Sequence, residues 1–346
     1  MKLEQRWAAG SSPAFTVAYV ITSDGHDNFA DMALVSMLSV RISNPGLRIV
    51  AVCDEKSAGA IQAAKHRLLQ VCDNLITVPT PDGEGTFRNR WIKTQLCAYV
   101  SGNVLHLDAD TLVRESLADL PTLVSEFGAV ANHNGATLSD QFWGDDRQIL
   151  ESMGWPSNFE AYVNGGVFFF KSCACVREFF AKWHELWLAG VAANGRLRDQ
   201  PSLNSALALS RVAVRILPSG YNAQLLKSLN HTSEAAIWHF YASAEGAGNL
   251  FAFLDSFAHL VKAGNDMTLV RLHRLISRVL NAPAPWPNLG WFARRLAARV
   301  ELRGRVRPVE WLWLVGRRKD AVRYALGKTM HGPASSSRRS DAGGTE

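Results

Sequence analysis

The sequence has no apolar run approaching the roughly eighteen residues that cross a bilayer as a helix. Its first residues, Met1 to Trp7, carry charges where a secretory leader would carry its apolar stretch. Membrane spanning and secretion are both disfavoured, and a cytoplasmic location is expected. Cysteine is scarce and odd in number: Cys53, Cys72, Cys97, Cys173 and Cys175 lie mostly inside apolar segments, with no Cys-x-x-Cys pair. Reduced core thiols explain that set better than a disulfide framework or a zinc site. Also missing is any glycine fingerprint, Gly-x-Gly-x-x-Gly or Gly-Lys-Ser/Thr, after the first strand-like segment, which demotes dinucleotide enzymes and P-loop phosphotransferases.

What is present is apolar bulk in a regular rhythm. With 47% hydrophobic residues over 346 positions, the chain can bury a full core in one large domain or two smaller ones. Residues 15–22 read as a buried strand, 28–41 as a helix, 47–53 as a strand, 56–70 as a helix and 74–78 as a strand. A helix over 88–100 then leads into an apolar strand from Val104. Strands alternating with helices predict an α/β fold with a mostly parallel, doubly covered sheet, whose ligand sits beyond the carboxyl ends of the strands. Further strands are expected at 128–132, 162–170, 212–217 and 236–240, and a helix starting near Pro201. In isolation Asp199 reads as the cap of that helix.

The organising stretch is Val104-Leu-His-Leu-Asp108-Ala-Asp110-Thr-Leu-Val113. Alternation along an extended chain turns Asp108 and Asp110 to one side. Paired carboxylates suit Mg²⁺ or Mn²⁺ when substrate phosphates complete the coordination. Downstream, Asn164, Gly165 and Gly166 meet a strongly apolar run, where paired glycines permit either close approach to a ligand or a tight turn into an edge strand.

Taken in order, Ile21-Thr22, Arg90-Trp-Ile-Lys93-Thr94, Leu107-Asp108-Ala-Asp110-Thr111, Asn164-Gly165-Gly166-Val167, Asp199-Gln200 with Asn204, Tyr221-Asn222 and His239-Phe240 resemble the family 8 retaining glycosyltransferases. That group contains glycogenin and bacterial lipopolysaccharide galactosyl- and glucosyltransferases. The resemblance spans about residues 15–243 and implies a GT-A fold acting on a UDP-sugar donor. It implies that Asp108, Asp110 and His239 hold Mn²⁺ (or Mg²⁺), and that Thr22, Asp24, Asn28 and Phe29 receive the nucleotide, with Asp108 beside it. Lys93 is implied to stand beside the donor, Asn164 and Gly165 against the transferred sugar, and Asp199 and Gln200 at its reactive face. The sequence departs from the family after His239, where the usual Gly and Lys-Pro-Trp are replaced by Phe240 to Gly248 without a lysine. Either backbone N–H groups of Ser243 and Gly246 to Gly248 cradle phosphate, or the diphosphate grip is weaker.

Two other readings stay open on the residues. The Asp108-Ala-Asp110 strand also resembles the first motif of haloacid dehalogenase phosphatases, with Asp108 as nucleophile, although three strand–helix units precede it here. A non-catalytic nucleotide-sugar-binding protein would keep the site and turn nothing over. The expected organisation is a lead at 1–14, a transferase domain at 15–255, a helical basic and aromatic region at 256–328 and a disordered tail at 329–346. Between 290 and 328 eleven cations face three anions, a net of +8 against +6 for the whole chain, so the remainder is about −2. Arginines interleaved with Trp311 and Trp313 suit an anionic membrane surface, and the resemblance adds a lipid-linked glycan acceptor on the inner face of the plasma membrane. No nucleic-acid-binding motif accompanies the charge.

Overall fold

A computed structural model describes residues 14–25, 27–225, 231, 234–240, 261 and 267–281. Its frame is a seven-stranded sheet in the order β3-β2-β1-β4-β7-β6-β8. The strands are β1 (Thr16–Ile21), β2 (Arg48–Asp54), β3 (Asn74–Val78), β4 (Asn103–Leu107), β6 (Phe127–Ala131), β7 (Val163–Lys171) and β8 (Val214–Ile216). All six residues of β1 are buried, as a central strand covered on both faces requires. Val17, Tyr19 and Ile21 point into one core and Ala18 and Val20 into the other, the period-two alternation of an extended chain.

The sheet is α/β and mostly parallel, as expected, with one exception. β7 runs antiparallel to both its neighbours, β4 and β6. Its glycines therefore open no tight turn into an edge strand: Gly165 and Gly166 lie inside a central strand. Two predicted helices are broken. The 56–70 segment forms α2 (Glu55–Ala63), then reverses at Lys65 (φ 49°) into a 3₁₀ turn at Arg67–Gln70. The 88–100 segment forms α3 (Gly85–Lys93) and a separate turn at Leu96–Tyr99, because Thr94 turns its hydroxyl back onto the Arg90 carbonyl and Gln95 leaves helical geometry.

A second sheet of three strands, β5-β10-β9, stands beside the first: β5 (Thr111–Val113), β10 (Ile237–His239) and β9 (Ala223–Gln224). Helix α1 (Phe29–Ser43) locks the two sheets together. Its residues from Ala30 to Arg41 are all buried, so even its polar positions must find partners inside. Ser36 bonds both Tyr19 of β1 and Thr111 of β5, each at 2.8 Å. Ser39 accepts the Val113 N–H at 2.8 Å, and Ser43 donates to the Val113 carbonyl. The later helices are α4 (Asp146–Ser152), α5 (Ala174–Asn194), α6 (Gln200–Leu209) and α7 (Leu269–Leu280). Leu272, Ile276, Val279 and Leu280 of α7 join the same core as α1. The phosphate-cradling loop at 243–248, the basic region at 290–328 and the tail at 329–346 fall outside the described residues.

Candidate metal and donor site

The site forms where the two sheets meet. β4 ends at Leu107, a turn carries Asp108-Ala109-Asp110, and β5 begins at Thr111. The two carboxylates thus converge through a turn and not by alternation along a continuous strand, which corrects the reason given for their pairing. β10 pairs antiparallel with β5 so that His239 lies opposite Thr111, and the Phe240 N–H donates to the Asp110 carbonyl at 2.8 Å. One donor atom from each of Asp108, Asp110 and His239 lies within 4.8 Å of the others.

Gly166 makes room for this cluster. Its carbonyl accepts from the Asp108 N–H at 2.8 Å, and a Cβ at this position would strike the His239 ring and lie 2.8 Å from Asp108 Oδ2. Only glycine fits there without moving the carboxylate or the imidazole.

A chain of asparagine amides fixes the chemistry of the imidazole. Asn132 Nδ2 donates to the Gln141 carbonyl at 2.6 Å, and the Gly166 N–H donates to Asn164 Oδ1 at 2.9 Å. Backbone groups have only one role each, so both amides are oriented without ambiguity. Asn164 Nδ2 then donates to Asn132 Oδ1, and Asn222 Nδ2 to Asn164 Oδ1, each at 3.0 Å. That leaves Asn222 Oδ1 as the acceptor 2.9 Å from His239 Nδ1, which must carry the proton. Its Nε2 faces Asp110 Oδ1, 3.2 Å away. A cation placed between that nitrogen and the two carboxylates would be held by all three groups. Two carboxylates and an imidazole with its other nitrogen held by an amide suit Mn²⁺, so these residues fit the metal that the sequence implies.

Asp108 has further partners. Lys93 Nζ, almost fully buried, lies 2.9 Å from Asp108 Oδ1 and 3.8 Å from Asp199 Oδ2. His106, two residues back on the same face of β4, donates from Nε2 to Asp108 Oδ1 at 3.1 Å. Burial works to raise the Asp108 carboxyl, but the Lys93 charge, the His106 hydrogen bond and Arg90 outweigh it and hold it well below the usual carboxylate range. Burial keeps His106 below the ordinary histidine value, with the Lys93 charge acting in the same direction. On the far side of Lys93, Asp199 occupies the cap position of α6 but makes no capping bond. Its Oδ1 is instead 3.1 Å from Arg90 Nε. Gln200 begins α6 and turns Oε1 to the Gly165 N–H at 3.4 Å and to Asn164 Nδ2 at 3.5 Å.

Lys93, Asp108, Asp110, Asn164, Gly165, Asp199, Gln200 and His239 therefore form one constellation. Thr22, Asp24, Asn28 and Phe29 lie at the same end of the sheet, beyond β1, and are organised locally. Asp27 accepts from Ser23 Oγ, the Asp24 N–H and the Phe29 N–H, each at 2.9 Å, while Thr22 donates to the Gly85 carbonyl at 3.0 Å. Sequence reasoning passed over Asp27, His106 and Asn132, and gave Arg90 and Asn222 no role. His106 alone had a local signal, its i, i+2 relation to Asp108.

No family model and no curated protein sequence matches the chain. Among solved structures, similarity is found to an active-site mutant of LgtC, with 18% identity, a TM-score of 0.45, and coverage of 72% of this chain and 95% of that one. The glycosyltransferase GlyE of Streptococcus pneumoniae is also similar, with 16% identity and a TM-score of 0.47 over 79% of this chain. This chain spans 66% of GlyE, a little under two thirds of its length.

Proposed function

We propose that this protein is a metal-dependent glycosyltransferase that moves a hexose from a UDP-sugar, with retention, to a sugar hydroxyl of a cell-envelope glycan or glycolipid. The observation that carries the reading is the meeting of Asp108, Asp110 and the His239 imidazole within 4.8 Å, beside a buried Lys93 and the Asp199-Gln200 pair. Asp108, Asp110 and His239 would hold Mn²⁺ or Mg²⁺, which when bound supplies Lewis-acid stabilisation of the diphosphate leaving group.

The remaining work belongs to the chain. Lys93 holds Asp108 ionised and in place, so the carboxylate needs no deprotonation before it binds a cation. Arg90 orients Asp199 as an acceptor for a sugar hydroxyl. Gly165, with no side chain, leaves open the approach beside Asp199, where an added Cβ would lie 3.9 Å from Oδ2. Gln200 Oε1, held by the Gly165 N–H, is a neutral oxygen suited to stabilising positive charge that develops at the anomeric carbon. The turn of Thr22, Asp24, Asn28 and Phe29 receives the nucleotide in this reading. The basic region at 290–328 docks on an anionic membrane surface, which places the protein peripherally on the cytoplasmic face.

The deciding experiment is calorimetric titration of UDP into the protein with and without Mn²⁺, followed by the Asp110→Asn variant. Metal-dependent binding in the micromolar range, lost in the variant, is expected, together with slow hydrolysis of one UDP-sugar. Equal UDP binding and turnover in Asp110→Asn would sink the metal assignment. Phosphate release from a generic phosphomonoester, with no UDP binding, would favour the phosphatase reading. Removal of residues 290–346 should abolish sedimentation with phosphatidylserine vesicles while leaving donor hydrolysis intact, and continued sedimentation would remove the membrane role.

A further inference from the structure

At the opposite end of β7 from Gly166, a second group of ligand atoms comes together that the proposed function does not use. Cys173 and Cys175 bring their Sγ atoms to 2.7 Å, and a Glu126 carboxylate oxygen lies within 4.8 Å of both. The three are partly exposed. Their meeting is a product of the fold. β6 and β7 pair antiparallel, and the Lys171 N–H donates to the Glu126 carbonyl at 2.8 Å, which sets Glu126 beside the point where β7 gives way to α5. Glu126 is held from its other side by the Ala213 N–H, which donates to Oε2 at 2.6 Å.

We propose that Cys173, Cys175 and Glu126 form a binding site for a thiophilic divalent cation of the zinc class. Two sulfurs and one carboxylate oxygen make a soft, three-ligand set to which water adds a fourth position. Three features of the site favour a cation. First, all three groups become anionic on deprotonation, and their crowding is unfavourable until a positive charge enters. Second, Cys173 is the N-cap of the 21-residue helix α5 yet makes no capping bond, and Cys175 lies in its first turn. The positive end of a long helix stabilises thiolates. Third, Glu126 is positioned by the backbone of two other segments, so it is a prepared ligand and not a passing surface acid.

Binding is not a redox step: each thiol gives up its proton to solvent, the two thiolates and the carboxylate bind the ion, and two protons are released per cation. At zinc–sulfur distances of about 2.3 Å the sulfurs must open to roughly 3.7 Å, a rotation available to the partly exposed side chains.

The test uses full-length protein, reduced and freed of metal, titrated with Cd²⁺ and monitored by sulfur-to-cadmium charge-transfer absorbance, with Zn²⁺ as competitor. One saturable site is expected, displaced by Zn²⁺, with two protons released. Cys173→Ser and Cys175→Ser should each weaken it about 100-fold, and Glu126→Gln about tenfold. Asp110→Asn should leave it unchanged, which separates this site from the Asp108 cluster. Absence of the band in reduced wild-type protein overturns the proposal, as does its persistence at full strength in Cys173→Ser. So does a Cys173–Cys175 disulfide in air-exposed protein combined with no Zn²⁺ binding after reduction, an outcome that assigns the pair to redox chemistry. Should the serine variants fail to fold, alkylation of wild-type protein decides: Zn²⁺ must protect Cys173 and Cys175 from iodoacetamide while Cys72 and Cys97 react as before, and equal labelling with and without Zn²⁺ overturns the assignment.

Discussion

At one end β7 presents Asn164, Gly165 and Gly166 to carboxylates, an imidazole and a buried lysine; at the other the chain leaves through Lys171 and Ser172 into Cys173 and Cys175 beside Glu126. The first end is built from five separated segments, with Lys93 and His239 buried and Asp108 and Asp110 partly open, and its amides are oriented by one another. The second is built from two, is partly open, and relies on a helix end for its electrostatics. Hard oxygen and nitrogen ligands gather where burial and amide chains can hold them rigid, and sulfur gathers where little more than proximity is required. The contrast predicts that the first end is intolerant of added atoms, whereas the second depends on which ligand atoms it carries.

The largest effect should come from Gly166→Ala. The new methyl has no space between His239 and Asp108, so Mn²⁺ affinity should fall by about 100-fold or more, roughly 3 kcal/mol, and stability by about 1–3 kcal/mol from overpacking. Isothermal titration and urea unfolding measure the two. Gly128→Ala serves as the matched control, because its methyl would meet Val124 near the start of β6. It should cost similar stability with Mn²⁺ affinity unaltered, and a matching loss of affinity would show that the Gly166 effect is general destabilisation.

Lys93→Met comes next. It removes the buried cation between Asp108 and Asp199 while Arg90 and His106 remain, and a loss of about 3 kcal/mol is expected. Denaturant midpoints that move by less than half of that would show that Arg90 and His106 suffice to hold the carboxylates.

Asn222→Ala is predicted to be subtler. It removes the acceptor that fixes the His239 tautomer and should weaken Mn²⁺ binding roughly 10–100-fold. Asn222→Asp, which keeps an acceptor oxygen, should recover most of that affinity. Nitrogen-15 spectra of metal-free protein at about pH 8, above the ordinary histidine range, should find His239 protonated at Nδ1. A proton on Nε2 instead would break the amide-chain account. The smallest effect is that of Cys97→Ser, which touches neither end and should leave both metal titrations within twofold, about 0.4 kcal/mol.

The fold was legible from the alternation of apolar strands with helices, because β1, β2 and β4 are continuous buried runs whose period needs no tertiary information. The reversal of β7 was not, since an apolar strand reads alike in either direction. Lys65 and Gln95 broke predicted helices through local backbone geometry that apolar periodicity does not register. Asp108, Asp110 and His239 were readable as an ordered set, but the turn that joins the first two was not, nor were the partners that orient the third. Asn132 and Asn222 are unremarkable in sequence, and their roles exist only through contacts that span tens of residues. The cysteines were read as core thiols because spacing was the only guide. Glu126 reaches them through strand pairing, which no spacing rule anticipates.

The pairing of β5 with β10 has a consequence for synthesis. The seven-stranded sheet needs nothing beyond β8, which ends at Ile216, whereas β5 has no antiparallel partner until residues 237–239 have been made. A growing chain can therefore close its large sheet around Asp108 and Asp110 well before the imidazole arrives. An ion bound there would enter an already folded scaffold as a late passenger and would contribute little to folding speed if the main sheet sets the barrier.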